Sequence, residues 1–331
     1  MPHLQYWDDP ADAIRQQEGT LLPLWSFAAP HARSRAVTAL AWSPRYFDLF
    51  VAGYGSYQFQ AATPGLVACY SLKSPSQPER CFATPAGVLC LDFHPQRPNL
   101  LAVGCADGGV LVLDVGAPPP AGGGPAPPLY AATPASGKHT EPVWQVAWQR
   151  SDGHELEFVS VSSDGRIALW SVSKNELSCR DLMVLRQLAG SGVGLPALAP
   201  LPAAAGSGGG SGAGLDPAKA GQVEGAVEHD QESGAVAGGL CFDFHPAQDY
   251  LFVVGTEEGG LFKCSTASTS HYLAAFAGHR LPVYAVRWNS HHARAFLSAG
   301  ADWSVKLWET LQPRVGTGAG TMEGGRVGGR C

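Results

Sequence analysis

Five runs along the chain alternate apolar and polar positions and close on an aromatic residue: VTALAW (37–42), VLCLDF (88–93), VWQVAW (143–148), GLCFDF (239–244) and VYAVRW (283–288). Period-two alternation rich in β-branched and aromatic residues predicts a strand in each. A turn follows, with proline in Ser43-Pro44, His94-Pro95 and His245-Pro246. A second apolar run comes next: DLFVAGYG (48–55), LLAVGCADG (100–108), EFVSVSSDG (157–165), YLFVVGTEEG (250–259) and AFLSAGADW (295–303). Beyond a tight turn lies a third: LVACYSL (66–72), VLVLDV (110–115), RIALWSV (166–172), LFKCST (261–266) and SVKLWET (304–310). A weaker fourth strand is expected in each unit, as at Leu182-Met183-Val184-Leu185 or Tyr272-Leu273-Ala274-Ala275-Phe276.

The closing aromatics lie at 42, 93, 148, 244 and 288, so the spacing is uneven. Glycine and proline account for that. Residues 116–129 hold 4 Gly and 6 Pro, residues 189–237 hold 12 and 4, and residues 311–331 hold 7 and 1. Such stretches bury too little apolar surface to offset chain entropy, so they are predicted linkers and tail. Without them the units approach the ~40–45 residues of a WD-type propeller blade, in which four short antiparallel strands repeat radially. The glycines form no GxxxxGK[ST] motif and open no helix, so no phosphate loop is expected.

Charge narrows the function. Only 15% of residues are charged and the net charge is −6, which argues against nucleic-acid and anionic-membrane partners. No run approaches ~18 consecutive apolar residues, and residues 1–9 lack the basic and apolar regions of a secretory leader. The eight cysteines form no CxxC pair and several sit inside apolar runs. They read as reduced, buried hydrophobes rather than a disulfide or zinc framework. His31, His271 and His291-His292 show no metal-ligand pairing, and neither metal nor cofactor is expected.

Two units carry a complete WD signature. One set is His139, Ser160, Asp164 and Trp170; the other is His279, Ser298, Asp302 and Trp308. The His-to-Asp separations are 25 and 23 residues, and Asp-to-Trp is 6 in both. A His/Ser/Asp set also suits nucleophilic catalysis, but that needs a serine presented at a pocket beside an oxyanion hole. The set is repeated inside successive blades, and the WD resemblance implies its use as a buried hydrogen-bond chain, from Trp through Ser and His to Asp, that fixes blade geometry. No catalytic residue is therefore assigned. In the second unit Asp107 remains but Leu113 replaces Trp; in the fourth, Glu258 and Cys264 hold those positions. These units should depend more on packing.

Longer segments carry a family resemblance. Val37–Tyr57, which contains GYGSY, GLVACYSLKSPSQPE (65–79), DFHPAQDYLFVVGTEEGGLFKCS (243–265) and DWSVKLWE (302–309) resemble the dynein intermediate chains, the axonemal outer-arm type in particular. Gly19-Thr20-Leu21-Leu22-Pro23-Leu24-Trp25 is similar to that family's lead-in. The likeness covers about residues 4–310 apart from the two linkers. It implies an all-β WD-repeat β-propeller, with five recognisable blades of a seven-bladed ring and disordered Gly/Pro-rich insertions. The organisation expected is a lead-in (1–36), blades 1–2 (37–115), a Pro/Gly linker (116–136), blade 3 (137–188), a Gly-rich insertion (189–237), blades 4–5 (238–310) and a disordered tail (311–331).

The resemblance further implies a non-catalytic scaffold in the cytoplasm and cytoskeleton, at the axoneme of the cilium or flagellum. Its partners would be a dynein heavy chain, a second intermediate chain and light chains, with the microtubule doublet reached through the complex. Two features depart from the family. Two blades are missing, and so is the long N-terminal segment where light chains bind, so a fragment or truncated gene product is expected, with a five-bladed ring as the alternative. Another WD adaptor (a cytoplasmic dynein intermediate chain or an unrelated complex scaffold) is the competing function, and a propeller hydrolase the remote one. Tyr54, Tyr57 and Phe59, together with the Trp303 turn, are candidate partner contacts, being aromatic residues at blade tops. Equally, Tyr54 and Tyr57 could pack a long loop against the blade.

Overall fold

The computed structural model describes residues 24–56, 63–118, 124–149, 156–173, 176–188, 222–224, 232–277 and 279–310. The chain divides into two compact units, residues 1–184 and 185–331.

The first unit contains three antiparallel four-stranded sheets, each with its strands in chain order. The first sheet is β1 (Ala36–Trp42), β2 (Leu49–Gly55), β3 (Gly65–Ser71) and β4 (Arg80–Thr84). The second is β5 (Val88–Phe93), β6 (Leu100–Cys105), β7 (Val110–Asp114) and β8 (Tyr130–Ala131). The third is β9 (Val143–Trp148), β10 (Leu156–Ser162), β11 (Arg166–Val172) and β12 (Leu177–Val184).

In the second unit, β13 (Arg186–Leu188) pairs with β15 (Glu232–Val236). The fourth sheet is β16 (Gly239–Phe244), β17 (Leu251–Thr256), β18 (Gly260–Ser265) and β19 (Ala274–Ala277), extended past β19 by β14 (Gln222–Glu224). The fifth sheet is β20 (Val283–Trp288), β21 (Ala295–Gly300) and β22 (Val305–Glu309), with no fourth strand among the described residues.

The five predicted three-run units are thus five sheets. The middle strands read as nearly unbroken apolar runs because both of their faces are covered: β3, β6 and β17 are buried throughout, β3 by the second sheet on one face and by Phe27 and Ala29 on the other. One core joins Val51, Val67 and Phe82 of the first sheet to Val88, Leu101 and Leu113 of the second. Another joins Ala102, Val110 and Val112 of the second to Val146, Trp148 and Trp170 of the third. In the second unit a third core joins Val253 and Leu261 to Val286, Trp288 and Trp308.

One close approach recurs at these boundaries. A Cβ on Gly53 would lie 2.6 Å from Val88 Cγ1, and one on Gly104 or Gly255 would lie 2.8 Å from Val143 or Val283 Cγ1. Each valine opens its sheet and fills the space left by a glycine in the sheet before it. Glycine is required there for room rather than for backbone freedom.

Two expectations about the insertions are corrected. The stretch 116–136 was expected to be linker, yet Tyr130 and Ala131 form the fourth strand of the second sheet, opposite Val112 and Leu111. Two ladder residues suffice because Tyr130 and Ala132 also pack on the core shared with the third sheet. Within 189–237, expected to be disordered, β14 pairs with β19 and β15 with β13. The exposed edges of those strands offer backbone partners that composition does not reveal. The fourth strand of the third sheet is also longer than expected, beginning at Leu177, and that of the fourth sheet begins at Ala274.

Candidate functional site

In the third sheet, β10 and β11 hold Ser160 and Trp170, the turn between them holds Asp164, and His139 precedes β9. Trp170 Nε1 lies 2.7 Å from Ser160 Oγ, Ser160 Oγ 2.7 Å from His139 Nε2, and His139 Nδ1 2.9 Å from Asp164 Oδ2. An indole N–H can only donate, so Ser160 accepts from Trp170 and passes its own proton toward His139 Nε2. His139 then carries its proton on Nδ1 and donates to the carboxylate. The fifth sheet repeats the chain. Trp308 Nε1 donates to Ser298 Oγ at 2.8 Å, Ser298 Oγ is 2.6 Å from His279 Nε2, and His279 Nδ1 is 3.0 Å from Asp302 Oδ1.

The electrostatics follow from these contacts. Burial works to raise the Asp164 carboxyl, but the His139 hydrogen bond and the Arg166 and Thr140 backbone N–H groups outweigh it and hold the group below its ordinary value. Asp302 is lowered further: burial again opposes, while Ser304 and His279 both donate to it. Ser160 and Ser298 are buried, and each Oγ is already engaged by an indole and an imidazole. This chemistry fixes the β-turn and the strand before it. It presents no serine to a substrate.

The degenerate units are held differently. Asp107 accepts from the Gly109 backbone N–H at 3.1 Å and from Lys138 at 2.6 Å, while Leu113 is buried in the core. Glu258 accepts from Gln187 at 3.2 Å, and Cys264 fills the tryptophan position, fully buried. Burial pushes the thiols of Cys69, Cys105 and Cys241 up to about 12, as expected of packing residues rather than nucleophiles.

Sequence reasoning missed a second device. Asp92 of β5 accepts the Trp148 backbone N–H at Oδ2 (2.8 Å) and the Trp148 indole N–H at its carbonyl (3.0 Å). Asp243 of β16 takes the same two protons from Trp288, at 2.7 and 3.1 Å. His94 and His245 pack on those indoles, with ring centroids 4.8 and 4.7 Å apart. Cys90 and Cys241 donate S–H to the carbonyls of Val143 and Val283. The signal is the DFHP repeated at 92–95 and 243–246.

The candidate partner contacts separate sharply. Tyr54 is a correction: it lies in β2, is only 6% exposed, and shares a 2.7 Å hydrogen bond between its hydroxyl and that of Tyr70. Its side chain is core. Tyr57 and Phe59 lie outside the described residues. Trp303 is 100% exposed, at φ +59, in the β21–β22 turn. The matching turns of the second, third and fourth sheets place Gly108, Gly165 and Gly259 in that left-handed conformation.

Two sheet faces are also open. Val146 and Trp148 of β9, and Val286 and Trp288 of β20, are buried, yet the residues at the equivalent positions of β1, Leu40 and Trp42, are 68% and 59% exposed. Val159, Ile167 and Leu169 of the third sheet are buried, as are Val51, Val67 and Cys69 of the first. Their counterparts in the fifth sheet are Leu297, Val305 and Leu307, and the last two are 71% and 72% exposed.

Comparison with known proteins agrees with this architecture. The family described as WD domain, G-beta repeat matches residues 76–114, 136–171 and 270–309. The β-propeller domain of Cps50 (Swd1) from Myceliophteria thermophila superposes with a TM-score of 0.53 at 12% identity, over 86% of this chain and 69% of that one, which shows a shared β-propeller fold. Among curated proteins, the chain is 42% identical over 306 residues to dynein axonemal intermediate chain 1 of Rattus norvegicus, and 41% identical over 306 residues to dynein intermediate chain 2, ciliary, of Heliocidaris crassispina. It is 43% identical over 298 residues to the 78 kDa intermediate chain of the flagellar outer arm of Chlamydomonas reinhardtii. These alignments cover 89–92% of this chain, which spans 38% of the length of each of the three relatives. Over the region it shares with them, the chain is similar to the axonemal dynein intermediate chains, and it carries the WD repeats that the family match identifies.

Proposed function

We propose that the chain is a non-catalytic scaffold of an axonemal outer-arm dynein, binding the heavy-chain tail and supporting arm assembly and ciliary or flagellar motility. The observation that carries this reading is the 41–43% identity to axonemal intermediate chains along nearly the whole chain. The serine chemistry supports it: both candidate nucleophiles are sealed into hydrogen-bond chains behind tryptophan. A second intermediate chain and light chains complete the partner set, and the microtubule doublet is reached through the assembled arm.

Trp303 is the contact residue this reading favours. A fully exposed indole offers large rigid area at low entropic cost, and it stands where three other turns use glycine. The experiment is a pull-down from ciliary extract with the full chain. Recovery of a dynein heavy chain supports the reading, and recovery of ubiquitin-ligase or chromatin subunits in its place overturns it.

A further inference from the structure

We propose that Pro127-Pro128-Leu129-Tyr130 is a docking motif for a partner domain whose aromatic-lined groove reads proline in the polyproline II conformation. The motif belongs to a strap that leads into β8. The Ala126 N–H donates to the Cys81 carbonyl of β4 at 2.9 Å, and the Leu129 and Ala132 N–H groups donate to the Val112 and Val110 carbonyls of β7, both at 2.8 Å. Ala126 packs on the core shared by the first and second sheets, and Tyr130 and Ala132 on that of the second and third. Exposure alternates along the strap: Pro125, Pro127, Leu129 and Ala131 are exposed, while Ala126, Pro128, Tyr130 and Ala132 are half-buried.

The chemistry of the strap selects its partner. Pro125, Pro127 and Pro128 have no N–H, so this segment is a poor template for an added strand. It offers proline rings instead. A groove of aromatic side chains packs on such rings and needs no N–H from its ligand. Residues 115–137 carry no charge, and the next charged residue, Lys138, is engaged by Asp107 at 2.6 Å. A groove of the SH3 type, which also anchors a basic side chain beside the prolines, lacks that anchor here. A groove of the WW type that takes Pro-Pro-x-Tyr finds each of its anchors in Pro127, Pro128 and Tyr130.

The fold sets a condition on docking. Polyproline II has three residues per turn, which puts Pro127 and Tyr130 on one side of the ligand. In the strap they lie on opposite sides, Pro127 exposed and Tyr130 half-buried. Docking therefore requires release of β8, which two ladder pairs hold, Leu111 with Ala131 and Val112 with Tyr130. Losing the two hydrogen bonds to β7 should make the full chain bind about 10–100-fold more weakly than the free segment. The inference does not depend on which complex the chain scaffolds.

The test titrates a fluorescently labelled WW domain of the Pro-Pro-x-Tyr class with the full chain, and with a synthetic peptide of residues 124–132 as reference. Saturable binding of both is expected, the chain weaker by about the factor above. Pro127→Ala, at an exposed position, should weaken binding by about tenfold or more with the thermal melt unchanged, and Pro125→Ala, outside the motif, should bind as the wild type does. Hydrogen exchange at the Leu129 and Ala132 amides should quicken when the WW domain is added. A full chain that fails to bind where the peptide saturates overturns the proposal. So does binding that Pro127→Ala leaves intact, binding that leaves the two amides protected, or capture by an SH3 domain in place of the WW domain.

Discussion

Trp148 hangs from Asp92 by two hydrogen bonds, its backbone N–H to Oδ2 and its indole N–H to the aspartate carbonyl, at 2.8 and 3.0 Å. The pair crosses from the second sheet to the third, so it ties sheet spacing to one carboxylate. Asp92→Ala should cost about 1.5–3 kcal/mol, the range for a hydrogen bond to a charged group whose donor is left stranded. Asp92→Asn, which keeps an oxygen there, should cost less. Urea unfolding of both variants checks the order, and equal losses would mean that a neutral oxygen at that position contributes nothing.

The Trp170–Ser160–His139–Asp164 chain should behave as one unit. Ser160→Ala strands an indole N–H and an imidazole nitrogen in the interior, a cost of about 1–3 kcal/mol. Trp170→Phe strands only the serine and leaves a small void. The double variant should lose less than the sum, because residues in one network are coupled. A double-mutant cycle measures this, and strict additivity would disprove the coupling.

Acid should loosen these sheets only as pH falls below the range in which ordinary exposed carboxylates take up their protons. Asp164 and Asp302 are held below the ordinary carboxylate value when folded. Their contribution is complete above the unfolded value near 3.8, and it is lost as pH falls through the lower folded values. Tm measured from pH 6 to pH 2 should therefore decline along this acid limb. The limb should be shallower in Asp302→Asn, which has no proton to take up.

Trp303 combines exposure with a left-handed backbone. Relief of roughly 1–2 kcal/mol of left-handed strain, less about 0.5–1 kcal/mol for the entropy of glycine, gives Trp303→Gly a net gain of about 0.5–1 kcal/mol. Trp303→Ala keeps the strain and should show no such gain. Both should weaken capture of a dynein heavy chain if the indole is the contact. Thermal melts and pull-down yields separate the two effects.

Much of this was legible in the chain. His139, Ser160, Asp164 and Trp170 were found by spacing alone, because a hairpin fixes how far apart its hydrogen-bonded residues can be. Strands β1, β5, β9, β16 and β20 were legible because alternation survives wherever one side of a strand meets a core. The two-residue strand β8 was not, since its stability comes from a neighbouring sheet and its local sequence is proline-rich. Tyr54 was misplaced because an aromatic at the end of a strand was grouped with the blade-top loop that follows it. Gly53 beside it leaves the room that Val88 requires. The Asp92 clamp was hidden because its partner lies 56 residues away, beyond the reach of any local pattern.

Cys90, Asp92, His94 and Gly104 engage Val143 and Trp148; Cys241, Asp243, His245 and Gly255 engage Val283 and Trp288 in the same way. The second and fourth sheets are sockets, and the third and fifth are matching plugs that also carry the complete tryptophan-to-aspartate chain. The chain thus counts in twos: its true period is a socket and its plug. A cut or graft placed between the first and second sheets gives up the Gly53–Val88 fit but keeps both aspartate clamps, whereas one placed inside a pair severs a cysteine, an aspartate, a histidine and a glycine from the sheet they were shaped to hold.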